Sequence, residues 1–311
     1  MDSSNDRTAS LMTPAKLAQV ASAARAPVSP AAFLDQMAAD VGHAHVKRLA
    51  ELRLELEGHA RGSQAATIKP VLKRLRQALD PLDFSLLQPS GLWAAFTGKN
   101  RDAGAEFAGR VEQIDVAAKA FTAEATAVLQ LQQPHAMAAE RALVEFEVEY
   151  RALDKLIDQG ARWLQDMRSQ LKARQAQAAS DPAAQEQVRV DAARCETLVA
   201  RLKALRAAAT ASQQAHQQVR VTAERRAALM AQMPRAAANE IREWRSRLGT
   251  LAGAAAEGKV AGLNLEGPRE IHEELRKRLD QLLADCRQLR THEDTLSRQL
   301  AAMGEQLAAA A

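Results

Sequence analysis

Apolar residues recur at alternating intervals of three and four positions through four long segments of this chain. This spacing lines apolar side chains along one side of an α-helix, which is typical of coiled coils and of long packed helices. The chain is therefore predicted to be all-α, an elongated antiparallel bundle of long helices with coiled-coil-like packing. The last segment carries the pattern most regularly, at Leu275, Leu279, Leu282, Cys286, Leu289, Leu296, Leu300, Met303 and Leu307.

Composition supports this interpretation and excludes several functional classes. Only 3% of the 311 residues are aromatic, and the net charge is +4. Nucleic-acid binding is not expected, because it requires aromatic platforms or a strongly skewed charge. No apolar run approaches the ~20 residues of a membrane span, and the polar start is not a secretory signal. The predicted location is cytoplasmic, and peripheral contact with the inner membrane stays open.

Proline and glycine positions divide the chain into three predicted regions. Residues 1–30 are interpreted as a disordered N-terminal arm, residues 31–100 as short helices with an apolar corner, and residues 101–311 as the long-helix bundle. Pro134 and Pro234 are expected to end or kink a helix, because proline removes a backbone donor and clashes with the preceding turn. The predicted helices span 31–60, 66–79, 103–133, 136–178, 182–232, 235–255 and 268–308.

The apolar corner is the first candidate for an interaction site. It concentrates large side chains in an aromatic-poor chain, and a basic cluster precedes it. The favoured interpretation is that Trp93 and Phe96 fill one end of the bundle. The alternative is an anchor that binds a partner or an anionic membrane surface together with the basic residues. The candidate patch consists of Phe84, Leu92, Trp93, Phe96, Lys69, Lys73, Arg74 and Arg76.

Catalytic and metal-binding patterns are not found in the sequence. His43 and His45 are two residues apart and point to different sides of a helix, whereas a zincin needs histidines four apart. Glu145, Glu147 and Glu149 are spread around a helix in the same way, unlike the carboxylates of a di-metal bundle. No phosphate-binding loop or nucleophile elbow is present. The chain is therefore predicted to have no catalytic, cofactor-binding or metal-binding residues and not to be an enzyme.

Polar and sulfur-bearing residues on the apolar stripes are expected to be structural. Cys195 and Cys286 both lie on stripes, so we predict two buried, reduced thiols. His272 and Glu293 occupy seam positions of the last helix, where polar groups more often set register than perform chemistry. That helix lacks complementary charges beside its seam, so we expect it to pack within its own chain and the protein to be a monomer or weak dimer.

The order of several short motifs resembles the toxic anion resistance (TelA-like, tellurite resistance) family. The motifs are Leu79-Asp80-Pro81-Leu82, then Phe96-Thr97-Gly98-Lys99, then Asp181-Pro182-Ala183 opening a long helix, and a looser match over 229–236. That family shows a Leu-Asn-Pro element, a Phe-Gly-Lys element, a long helix pair and an Asp-Pro helix start. The resemblance covers residues 65–255 and implies a bacterial protein linked to tellurite or envelope-stress resistance.

Three functions are compatible with these features. The first is a non-enzymatic helical scaffold that binds other proteins through helical surfaces, in a resistance or stress system of the kind that the resemblance implies. The second is a peripheral membrane-surface binder that uses residues 84–96 and the basic cluster at 69–76. The third is a phage- or secretion-related assembly factor. Liposome co-sedimentation distinguishes the second function from the other two.

Overall fold

The computed structural model describes residues 41–61, 65–80, 82–88, 99–178, 180–259 and 263–311. The predicted arm at 1–30 and the start of the predicted helix at 31–60 lie outside the described residues. Within the described ranges the chain is all-α, which confirms the predicted helical bundle. The helices are α1 (His43–Arg61), α2 (Ala65–Leu79), a 3-10 turn (Phe84–Leu87), α3 (Lys99–Gln177), α4 (Pro182–Ala236), a π turn (Ala237–Ile241), α5 (Arg242–Ala256) and α6 (Glu266–Ala309).

Helix α3 continues through Pro134, so the predicted end at this residue is wrong. The helix is 79 residues long and keeps its buried stripe on both sides of the proline, with Phe121 and Val128 before it and Phe146 after it. A proline in a helix costs roughly 3 kcal/mol. Pro134 is exposed, as is Gln130, the residue whose carbonyl loses its donor, and packing on either side keeps the helix intact.

The second predicted break, at Pro234, is also wrong. Helix α4 extends to Ala236, and a π turn then leads directly into α5. The buried stripe explains this turn, because it advances by five residues from Ala236 to Ile241 before regular spacing resumes at Trp244. Five residues of α-helix would rotate Ile241 away from the core, and the wider π turn brings it back.

The start of α4 follows its sequence signal. Asp181 accepts a hydrogen bond at 2.9 Å from the backbone N–H of Ala183, and Pro182 is the first helical residue. This is the N-cap and first-turn proline that the Asp-Pro pair predicts. The last helix also matches its seam, because all nine of its predicted apolar residues are buried.

The described chain forms two compact units, and each is discontinuous in sequence. The first comprises the described residues from 41 to 49, within Glu149–Ala211 and within Glu305–Ala311, and the second comprises those within Ala50–Val148 and Ser212–Gly304. Helices α1, α3, α4 and α6 therefore each contribute residues to both units. Each unit has its own apolar core.

In the first unit, α3 and α4 form an antiparallel hairpin. Arg206 pairs with Asp158 at 2.7 Å, and further along Arg168 pairs with Glu196 at 2.8 Å, so residue numbers rise on one helix as they fall on the other. Gly160 permits the close approach, because a Cβ there would lie 2.8 Å from a methyl carbon of Leu202. The core between these helices consists of Leu164, Met167, Leu171, Cys195, Leu198 and Leu202.

In the second unit, a larger core joins α2, the 3-10 turn, the first half of α3, the end of α4, α5 and α6. Helix α2 runs antiparallel to α6, because Arg76 contacts Asp280 at 2.8 Å while Asp80 contacts Arg276 at 3.0 Å. Cys286 lies in this core. Together with Cys195 it is a free, buried cysteine, as the stripe positions predict.

Candidate interaction surface

The described residues of the predicted patch lie in different environments. Phe84 is buried in the core of the second unit, and Arg76 is held by the carboxylates of Asp80 and Asp280. The other basic residues, Lys69, Lys73 and Arg74, are exposed on α2. The remaining three members, Leu92, Trp93 and Phe96, lie outside the described residues, so the patch as a whole stays a prediction.

Phe84 is one of a group of interlocked rings. It meets Phe107 of α3 edge-on at 5.6 Å between ring centroids and His272 of α6 edge-on at 5.7 Å. The guanidinium carbon of Arg269 lies 5.6 Å from its ring centroid. The 3-10 turn that carries Phe84 is capped by Asp83, whose carboxylate accepts a hydrogen bond from the backbone N–H of Ser85 at 2.8 Å. This end of the apolar corner therefore packs into the bundle.

The imidazole of His272 is also a hydrogen-bond acceptor. Its Nδ1 accepts from the indole N–H of Trp244 at 3.2 Å in a buried site. Burial, followed by the positive charge of Arg276, lowers the pKa of His272 from 6.5 to about 4, against a hydrogen bond to the backbone of Leu79 that raises it. The neutral ring is therefore a structural link between α5 and α6, in agreement with the role predicted for a polar seam residue.

Two separate polar contacts interrupt the apolar packing of the second unit. His216 stacks on Phe146 with 6.3 Å between centroids and an interplanar angle of 3°, and its Nε2 lies 3.5 Å from Glu147. Arg226 pairs with the seam residue Glu293 at 3.0 Å, where both side chains are more than four-fifths buried. In the sequence, Arg226 belongs to a basic cluster with Arg220, Arg225 and Arg235 that is typical of a solvated helix face, and this interpretation is wrong for Arg226.

The carboxylates of Glu145, Glu147 and Glu149, which the sequence predicts to be spread around α3, do not come together in one site. Glu145 is exposed, Glu147 faces His216, and Glu149 is buried and hydrogen-bonded to His45 at 2.6 Å. Glu149 and His45 belong to the first unit, so this pair is a structural contact between α1 and α3 within it. No group of three or more metal-ligating side chains occurs in the described ranges.

The outer side of α3 carries an exposed apolar stripe in the second unit. Met137, Val144 and Val148 are 56%, 59% and 53% exposed. At 100° per residue they lie within about 40° of one another, opposite the buried side of the same helix. A depression of about 440 Å³ follows this side, and the described residues that line it are Met137, Glu140, Arg141, Val144 and Glu145. We refer to these five residues together with Val148 as the α3 face.

The helix around this face is unusually solvated. Every residue from Gln133 to Ala138 is exposed, whereas Gln132 before this stretch and Ala142 after it are buried. The buried stripe follows Ala142, Phe146 and Tyr150, so Met137, Val144 and Val148 fall off its line. The seven- and four-residue spacing of these three residues is present in the sequence, but the regular spacing of the buried stripe is the stronger pattern in this segment.

No helix in the described part of the chain has the length and apolarity to cross a membrane. No protein-family model, curated protein or solved structure matches the chain.

Proposed function

We propose that this protein is a non-enzymatic helical scaffold that binds other proteins, with the α3 face as its binding surface. The observation that carries the proposal is the exposed stripe of Met137, Val144 and Val148 on a helix whose opposite side is already buried. Large apolar side chains grouped on a surface and rimmed by charges are characteristic of protein-binding sites. Glu140, Arg141 and Glu145 supply such a rim.

The geometry of the face favours a helical partner. Spacings of seven and four residues between Met137, Val144 and Val148 form a straight row along α3. An amphipathic helix lays its own i, i+3 and i+4 side chains against such a row. The proposal therefore predicts a partner that contributes a helix, in keeping with the way in which the rest of the chain packs.

The biological process in this proposal rests on the family resemblance. The motifs at 79–82, 96–99 and 181–183 resemble the toxic anion resistance family, which suggests action in tellurite or envelope-stress resistance. A strain that lacks the protein is expected to be more sensitive to tellurite. Restoration of resistance by wild-type protein, but not by a variant with a disrupted α3 face, would connect the surface to the process.

A matched pair of substitutions on one helix tests the binding surface. Val144 and Val116 are both valines of α3, 59% and 62% exposed, and Val116 lies outside the α3 face. A photo-crosslinking residue at position 144 is expected to trap a partner, to be identified by mass spectrometry, that the same probe at position 116 does not trap. The purified partner is then expected to bind wild-type protein and Val116→Glu, and to bind Val144→Glu at least ~10-fold more weakly.

Equal binding by the Val144→Glu and Val116→Glu variants would contradict the proposal. Co-sedimentation of the chain with anionic vesicles, with loss on reversal of Lys69 and Lys73, would instead favour the membrane-surface function.

A further inference from the structure

We infer that residues 133–141 of α3 form a hinge, a stretch of helix that opens locally while the rest of the second unit stays folded. Three observations within this unit support the inference. The stretch has no buried side chain, the neighbouring helices leave a gap in the apolar core beside it, and Pro134 weakens its backbone. We refer to residues 133–141 as the α3 hinge.

The α3 hinge has no contact with a core on any side of the helix. Gln132 is buried before it and Ala142 after it, and none of the nine residues between them is buried. Nine residues make about 2.5 helical turns, so every side of the helix is included. From Phe107 to Val128, by contrast, α3 buries a residue every three or four positions. A segment with so few buried contacts has low local stability.

The direction of the helices shows which part of α4 lies beside the α3 hinge. Phe146 of α3 stacks on His216 of α4, whereas Asp115, earlier in α3, pairs with Arg245 of α5. Residue numbers therefore rise along α3 as they fall along α4 and α5. This antiparallel register places the α3 hinge level with about residues 220–228 of α4.

The apolar core is interrupted at this level in all three long helices of the second unit. The contact between Arg226 and Glu293 shows that α6 reaches the same level near residue 293. The buried apolar residues that border the gap are Val128 and Ala142 in α3, Val219 and Leu229 in α4, and Leu289 and Leu296 in α6. An ion pair still joins α4 to α6 in the gap, whereas α3 buries no side chain there.

Pro134 removes part of the remaining support of the α3 hinge. Proline has no backbone N–H, so the carbonyl of Gln130 lacks its usual helical donor. Sharp bends in helices occur most often at proline. Elsewhere in α3 buried contacts oppose such a defect, but Pro134 and its neighbours in the hinge have none. The weakest backbone and the weakest packing of this helix therefore coincide.

Native-state hydrogen exchange of the full chain tests the inference. Amides of the α3 hinge are expected to exchange at least ~100-fold faster than amides of residues 111–125 in the same helix. Low concentrations of urea are expected to leave exchange in the hinge nearly unchanged, because local opening exposes little surface. Exchange at 111–125 is expected to accelerate with urea, because those amides become accessible only when the unit unfolds.

Two variants of α3 separate local opening from global stability. Pro134→Ala restores a backbone donor and is expected to slow exchange in the α3 hinge at least ~10-fold. Gly109→Ala raises helix propensity in the same helix but outside the hinge. It is expected to leave exchange in the hinge unchanged, because the local opening does not include residue 109. Circular dichroism checks that both variants keep the helical content of the wild type.

Limited digestion with trypsin gives an independent measurement. Arg110 and Arg141 are both exposed arginines of α3, and only Arg141 lies in the α3 hinge. Under mild conditions proteolysis follows the population of the locally opened form. Cleavage after Arg141 is expected to be at least ~10-fold faster than cleavage after Arg110, and Pro134→Ala is expected to reduce this difference. Mass spectrometry of the fragments identifies each cleavage site.

Four results would overturn the inference. They are hinge amides as protected as those at 111–125, hinge exchange that accelerates with urea as it does there, an equal effect of Gly109→Ala and Pro134→Ala on hinge exchange, and equal cleavage after Arg110 and Arg141. Each is measured on the chain alone, so the inference does not depend on a partner.

The α3 hinge also has a consequence for the α3 face, and this consequence rests on the proposed function. Met137 and Val144 form a row only while the helix between them is intact, so opening of the hinge would reduce partner binding. The two proposals can fail separately. Fast local exchange together with equal partner binding by Val144→Glu and Val116→Glu would leave the hinge established and the proposed binding surface wrong.

Discussion

The indole N–H of Trp244 donates a hydrogen bond to Nδ1 of His272 across 3.2 Å in the core of the second unit. This contact requires an imidazole whose Nδ1 carries no proton, because a ring nitrogen accepts a hydrogen bond only when it is unprotonated. Trp244 is fully buried, so its N–H has no access to water as an alternative partner. Protonation of His272 would therefore place a charge in the core and remove the acceptor of a buried donor.

The stability of the protein is expected to depend on pH through His272. Its pKa is about 4 in the folded chain and 6.5 as the reference value. Between these values the unfolded chain binds the extra proton, so the free energy of unfolding falls as pH falls from about 6.5 to about 4, by roughly 3 kcal/mol. Denaturant titrations at several pH values from 7 down to 4 measure this slope.

Two variants separate this effect from general acid sensitivity. Glutamine at position 272 offers an amide oxygen to Trp244 without a titrating ring, so His272→Gln is expected to flatten the curve between pH 6.5 and 4. His135→Gln removes an exposed histidine of α3 and is expected to leave the wild-type curve unchanged. A slope that survives in His272→Gln would assign the pH dependence to other groups.

The fold was largely predictable because buried positions repeat with the period of a helix. Nine seam residues of α6 and both cysteines lie where their spacing predicts. The predicted breaks at Pro134 and Pro234 were wrong because a local rule was applied without the packing that opposes it. At Pro134 buried contacts on either side preserve the helix. Near Pro234 a π turn corrects a five-residue step in the stripe.

The candidate surface was less predictable, because exposure is not a property of residue type. Phe84 was assigned to a patch and is a core residue, since its neighbours Phe107 and His272 are far away in sequence. Arg226 was assigned to a solvated basic face and is buried against Glu293. In both cases a long-range contact decides the environment, and a single sequence contains little information about such contacts.

Two glycines of α3 are expected to respond in opposite ways to alanine. A Cβ at Gly104 would overlap the backbone carbonyl oxygen of Ala255, whereas a Cβ at Gly109 would meet nothing within 4 Å. Gly104→Ala is therefore expected to lower the free energy of unfolding by about 1–3 kcal/mol. Gly109→Ala is expected to raise it by up to ~1 kcal/mol through helix propensity. Chemical denaturation measures both, and a neutral Gly104→Ala would contradict the close approach of α3 and α5.

Two prolines offer a similar contrast. Pro134 lies in the middle of α3 and is exposed, so Pro134→Ala restores a backbone donor without disturbing the core. It is expected to stabilise the protein by up to ~3 kcal/mol. Pro182 is the first residue of α4, a position where proline is favourable, so Pro182→Ala is expected to destabilise by roughly 0.5–1 kcal/mol. Thermal melts of both variants measure these opposite changes in stability. A lower melting temperature for Pro134→Ala would show that proline is required at this point of α3.

The buried pair of Arg226 and Glu293 is expected to contribute more to stability than a surface pair. Their charged groups are 3.0 Å apart with side chains 16% and 11% exposed, whereas Arg189 and Glu186 are 2.6 Å apart with side chains 78% and 58% exposed. Arg226→Met leaves a buried carboxylate without its partner and is expected to cost about 2–4 kcal/mol. Arg189→Met is expected to cost far less, because water and salt screen an exposed pair.

A double-mutant cycle on Arg226 and Glu293 identifies why Arg226→Met is expected to lower the free energy of unfolding. If the unpaired charge dominates, adding Glu293→Gln to Arg226→Met is expected to recover ~1 kcal/mol or more, because the neutral amide tolerates burial better than a carboxylate. If the two substitutions simply add, the cost instead comes from lost packing of the Arg226 side chain and from its contact with the carbonyl of His59, 3.4 Å away. Urea denaturation of the four proteins at pH 7 distinguishes these cases, and additivity would refute the view that charge pairing stabilises this contact.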